Sequence, residues 1–129
     1  MALDPNFVAN ALTSNVSFST ANTALDGTGT IQSLLTAGVS GALVFRIRVK
    51  ATGTTTAGML RLFHSTNGTT WRLIDEQAVD AATPSATVKS FSWLKTFEGS
   101  GFVLQAGHSL GISTHKAESF HATVEWGGM

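Results

Sequence analysis

Residues 41–64, GALVFRIRVKATGTTTAGMLRLFH, constrain the fold more than any other stretch of the chain. Leu43, Phe45, Ile47 and Val49 fall on alternate positions, with Val44, Arg46, Arg48 and Lys50 between them. A period of two sends the first set to one face of a sheet and the second set to the other. A helix would scatter the same residues around its circumference. After a Thr/Gly-rich connection, Leu60 and Leu62 alternate with Met59, Arg61 and Phe63. The chain is organised around strands.

The remaining segments follow the same pattern. Asn67-Gly68 marks a hairpin between residues 57–64 and 70–79, because the pair suits a turn whose central residues need positive φ. Short strands are expected over residues 15–20, 30–36, 102–104, 108–114 and 119–126. A long strand or a bent pair is expected over 85–97, with Phe91 and Trp93 on one face. In the last strand Phe120, Ala122, Val124 and Trp126 oppose His121, Thr123 and Glu125. Eight or nine short strands without a helical period predict an all-β fold, an antiparallel two-sheet sandwich. A jelly roll is favoured, with an immunoglobulin-like sandwich as runner-up. Residues 1–13 lack a period and read as an extended N-terminal arm ahead of one sandwich domain, 14–129. Phe7, Val8 and Leu12 are its large apolar side chains after Leu3.

Composition narrows the function. Charged residues make up 12% of the 129, about half the usual share of a soluble domain. Ala, Gly, Ser and Thr supply nearly half of the chain, so hydroxyls and small residues must cover the solvated faces. The formal net charge is zero, which favours neither nucleic acid nor an anionic membrane. Arg46, Arg48 and Lys50 nevertheless share one strand face, either simply solvated or set against an acidic protein surface. No cysteine is present, which excludes a disulfide framework and thiolate metal sites. The first residues show neither a basic start nor an apolar run, so no export signal is expected. An ion-poor, near-neutral surface associates readily.

No catalytic constellation emerges. Gly27-Thr28-Gly29 lacks the third glycine and the helix of a phosphate cradle. Gly38-Val39-Ser40-Gly41 is one residue short of a nucleophile elbow and lies between strands. His64, His108, His115 and His121 show no metal-ligand spacing, and Asp75 and Glu76 point to opposite faces of their strand. No enzyme activity, cofactor or metal is expected. Trp71, Trp93 and Trp126 lie on strands that also carry core residues, so packing outweighs a sugar platform. Tyrosine, favoured in recognition surfaces, is absent.

Three stretches resemble small virion-associated proteins of tailed bacteriophages, of the head decoration or cement type. They are KATGTTTAGMLRLF at residues 50–63, ATPSATV at 82–88 and GHSLGISTHKAESF at 107–120; the closing Gly127-Gly128 fits the same pattern. Together they span roughly residues 22–128. The resemblance implies a β-domain made in the host cytoplasm and bound to the capsid exterior. There it would bridge subunits of the major capsid protein and self-associate, with a trimer favoured. Phe7 and Val8 would then anchor the arm on a neighbouring capsomer, and Arg46, Arg48 and Lys50 would face capsid or a sister subunit. Tail, neck or fibre placement, and a glycan-binding module for host attachment, are the alternatives.

Overall fold

The structure is a computed structural model and describes residues 10–97 and 101–129. Nine strands follow in order: β1 (Asn10–Phe18), β2 (Gln32–Thr36), β3 (Ala42–Ala51), β4 (Gly58–Ser65), β5 (Trp71–Val79), β6 (Ser92–Thr96), β7 (Phe102–Leu104), β8 (Ser109–Thr114) and β9 (Phe120–Gly128). One sheet, here called A, has the order β1-β9-β3 with β6 and β7 end to end along the far edge of β3. The second, sheet B, has the order β2-β8-β4-β5. All strand pairs are antiparallel.

The pairs are nested about the Asn67–Gly68 turn. From the outside inwards, β1 meets β9, β2 meets β8, β3 meets β6 and β7, and β4 meets β5. Successive pairs fall in alternate sheets, so the chain is one long antiparallel ribbon rolled into two layers. That is a jelly roll, with β6 and β7 as two halves of its sixth strand. The predicted all-β sandwich and its favoured topology both hold.

The core lies between the sheets. Phe18, Val44, Ile47, Val49, Leu60, Leu62, Leu104, Leu110, Ile112, Phe120 and Val124 are all buried in it. Bulges adjust which residues reach it. Between Val44 and Arg46 the register against β9 slips, so Val44 shares the inner face with Ile47 and Val49. The strict alternation expected for Leu43, Phe45, Ile47 and Val49 therefore breaks at Phe45, because one extra residue reverses the parity. A bulge in β2 likewise lets the consecutive Leu34 and Leu35 both turn inward.

Three further boundaries differ from the sequence pattern. β1 starts at Asn10 and pairs along its whole length with β9, so residues 10–13 of the expected arm are strand. Residues 85–91 form no strand; Ser85 Oγ accepts from the Thr87 and Val88 amides, turning the chain before β6. In the β4–β5 turn only Gly68 takes a positive φ, of 81°. Asn67 works through its side chain, whose Oδ1 accepts from the Thr69 and Thr70 amides at 2.9 and 2.8 Å.

The two sheets are covered unequally. Residues 19–31 cross the outer face of sheet B: Ala21 bridges Thr114, and Asn22 donates through Nδ2 to the carbonyls of Thr28 and Thr30. A Cβ placed on Gly111 would meet Ile31 Cγ2 at 2.7 Å and the Trp71 ring at 2.8 Å, so these side chains fill the space over β8. Every residue of β8 is buried, and so are Arg61 and Phe63 on the same outer face of β4. Among the described residues, nothing comparable covers the outer face of sheet A over its central rows.

Candidate functional site

The open face of sheet A is a small grid set by strand register. One row runs Thr13, Glu125, Arg46, Thr96 across β1, β9, β3 and β6. The next runs Asn15, Thr123, Arg48, Leu94, and the third Ser17, His121, Lys50, Ser92. With strands about 4.8 Å apart and residues about 3.4 Å apart along them, the grid measures roughly 14 Å on a side. It holds three cations of β3 and one carboxylate of β9.

Arg46 Nε lies 2.8 Å from Glu125 Oε1, and Arg48 Nε lies 3.6 Å from Oε2 of the same carboxylate. Lys50 Nζ donates to the Ser90 carbonyl at 2.9 Å. All three cations stay exposed, Arg48 with 53% of its side chain accessible. The single Glu125 cannot neutralise two guanidinium groups, so the face keeps a positive bias. Such surface pairs contribute only about 0–1 kcal/mol each, which leaves the side chains free to re-pair with an incoming acid. Beside them, Asn15, Val16, Ser17, His121 and Thr123 rim a hollow of about 320 Å³, where Thr123 Oγ1 donates to Asn15 Oδ1 at 2.7 Å. Leu94 at 52% and Val103 at 56% exposure add apolar area along the β6–β7 edge.

Of the residues expected to form an interface, the four that are described do not all share a face. Arg46, Arg48 and Lys50 share the open face, as their spacing indicates. Leu12 pairs with Trp126, which packs on the core, so it belongs to the inward-facing set of the edge strand, although 41% of it is exposed. Phe7 and Val8 lie outside the described residues. Glu125 and Ser90 escaped the sequence reading as partners of the basic row, because cross-strand neighbours are set by topology rather than by local pattern.

The other titratable groups serve packing. Asp75 of β5 meets Lys95 of β6 at 2.8 Å and ties the two sheets along one edge. Glu76, on the opposite face as expected, binds the buried Arg61 at 2.9 Å. His64 Nε2 lies 3.2 Å from His108 Nδ1, with Phe102 of the other sheet edge-on to the His64 ring. This pair was not legible in the sequence spacing of forty-four residues. Burial, and secondarily the neighbouring His108, push the His64 pKa down. Among the described residues no three His, Cys, Asp or Glu side chains gather where a metal ion could sit. The tryptophans pack: Trp93 and Trp126 lie against the core, and Trp71 sits over Gly111.

No protein-family model and no curated protein matches the chain. Among solved structures it is similar to a chain of the T13 infectious bursal disease virus particle, at 16% identity and a TM-score of 0.40. That match covers 98% of this chain and 34% of the viral one. A chain from the Gt strain of infectious bursal disease virus gives 16% identity and a TM-score of 0.41, covering 97% and 35% respectively. The chain thus spans about a third of the length of the structures it matches.

Proposed function

We propose that this chain is a structural protein of a tailed-phage virion that sits on the capsid exterior and bridges coat subunits without covalent bonds. The observation that carries the reading is the unequal covering of the sandwich. One sheet is sealed on both faces, while the other presents a flat, positively biased grid of hydroxyls, cations and one exposed leucine. A flat surface of that size and chemistry suits the acidic surface of another protein better than a small substrate, which is held in a concave, largely apolar pocket. The phage resemblance over roughly residues 22–128 supplies the setting. The partner is the major capsid protein, with Arg48 and Lys50 meeting its carboxylates and the segment before Asn10 reaching a neighbouring capsomer. No aromatic ring among the described residues stands exposed as a sugar platform, so the glycan-binding alternative has less support.

The test is binding to purified capsids stripped of this protein. Arg48→Glu with Lys50→Glu leaves the Arg46–Glu125 pair in place and reverses the two remaining charges of the row. Affinity is expected to fall at least about tenfold, equivalent to about 1.4 kcal/mol, and to fall further with added salt in the unsubstituted protein. Saturation at unchanged affinity by the double variant would remove the basic row from the interface. The arm is tested separately by truncation before Asn10, which spares β1.

A further inference from the structure

The four edges of the sandwich are not equally protected, and the difference points to a partner. An open edge strand offers unpaired N–H and C=O groups, and proteins blunt such edges with charges, prolines, bulges or short strands. β5 carries Arg72, Asp75 and Glu76 and a bulge at Ile74. β2 has five residues and a bulge, and the edge made by β6 and β7 is interrupted between Thr96 and Phe102. β1, NALTSNVSF, has none of these devices: nine residues in unbroken register with β9, without a charge, proline, glycine or bulge.

We propose that the β1 edge is the contact between two copies of this chain, joined antiparallel across a two-fold axis. For both copies to keep their cores on the same side of the joined sheet, facing residues must have the same parity. The register that uses all nine residues places Ser14 against Ser14 of the second copy. Leu12 then faces Val16 of the second copy on the inner side, and Thr13 faces Asn15 on the outer side. Across the central five positions each apolar residue meets an apolar one and each polar residue a polar one; at the ends Asn10 faces Phe18 and Ala11 faces Ser17, and no charge enters the contact. That self-complementarity is what an isologous pair requires. It favours a second copy over a charged partner, and it covers the exposed part of Leu12. The joined sheet carries two basic grids side by side. The inference is independent of the capsid reading, and it replaces the trimer that the phage resemblance implies, because an isologous edge closes at two.

Sedimentation velocity on the full chain tests it, over a wide concentration range. The unsubstituted protein is expected to pass from monomer to dimer mass. Thr13→Lys with Asn15→Lys sets lysine against lysine twice across the axis and is expected to stay at monomer mass. Thr13→Lys with Asn15→Glu uses the same two positions but sets lysine against glutamate, and is expected to return to the dimer. Both variants should keep the circular dichroism of the parent. Should the double-lysine variant fail to fold, amide exchange of the unsubstituted protein is the second measurement, with β1 gaining protection as concentration rises. A monomer at every concentration, a closed trimer, or a dimer indifferent to the double-lysine variant would overturn the proposal.

Discussion

His64 shows how one side chain couples the fold to pH. It stands between the sheets, close to His108 and edge-on to Phe102, with Arg72 directly opposite on β5. Its folded pKa lies below the ordinary value of about 6.5, so the folded state prefers the neutral ring. In the window between the two pKa values the unfolded chain binds more protons, and stability rises with pH there. The contribution is complete above about pH 6.5 and is lost as pH falls towards the folded pKa. The melting temperature should therefore drop on acidification from neutral pH, and the drop should shrink in His64→Gln. A variant that retains the full acid sensitivity would assign the effect to other groups. Gly111 teaches a different lesson at the same scale. Its missing side chain makes room for Trp71 and Ile31, and no local pattern announces that need.

Among the elements, the β4–β5 hairpin joins the innermost pair of the nested ribbon and depends on one side chain. Asn67 Oδ1 accepts from two backbone amides and from the hydroxyls of Ser65 and Thr69. Asn67→Ala removes these contacts and should cost about 1–2 kcal/mol, read as a lower urea midpoint at unchanged slope. An unchanged midpoint would mean that Gly68 alone holds the turn. The hairpin was legible in the sequence because Asn-Gly sat between two alternating runs; the side-chain mechanism was not, because the dipeptide fits more than one turn. β8 and β9 were legible for the same reason of alternation. β3 was legible as a strand and in its facing from Arg46 onwards, but not over Leu43–Phe45, since a single bulged residue reverses the parity on one side of it. β1 was read as starting five residues late, because an edge strand with little to bury shows little alternation. The basic row followed from parity within β3. Its engagement with Glu125 and its place on the open face required the topology.

At the scale of the molecule, the decisive feature is the asymmetry between the layers. The crossing of residues 19–31 seals sheet B, whereas among the described residues no such segment crosses the outer face of sheet A. Nothing in the Asp-Gly-Thr-Gly segment of that crossing distinguished a sheet cover from an ordinary turn, so the sequence pointed to the sandwich without showing which face was open. The outermost strands of the ribbon pair although they lie more than a hundred residues apart in sequence. The most direct test is an image reconstruction of the particle that carries this protein. The account predicts a two-layer β-density at each equivalent site of the outer shell, with the face of Arg46, Arg48 and Lys50 turned towards coat subunits. A shell from which that density is absent would contradict it.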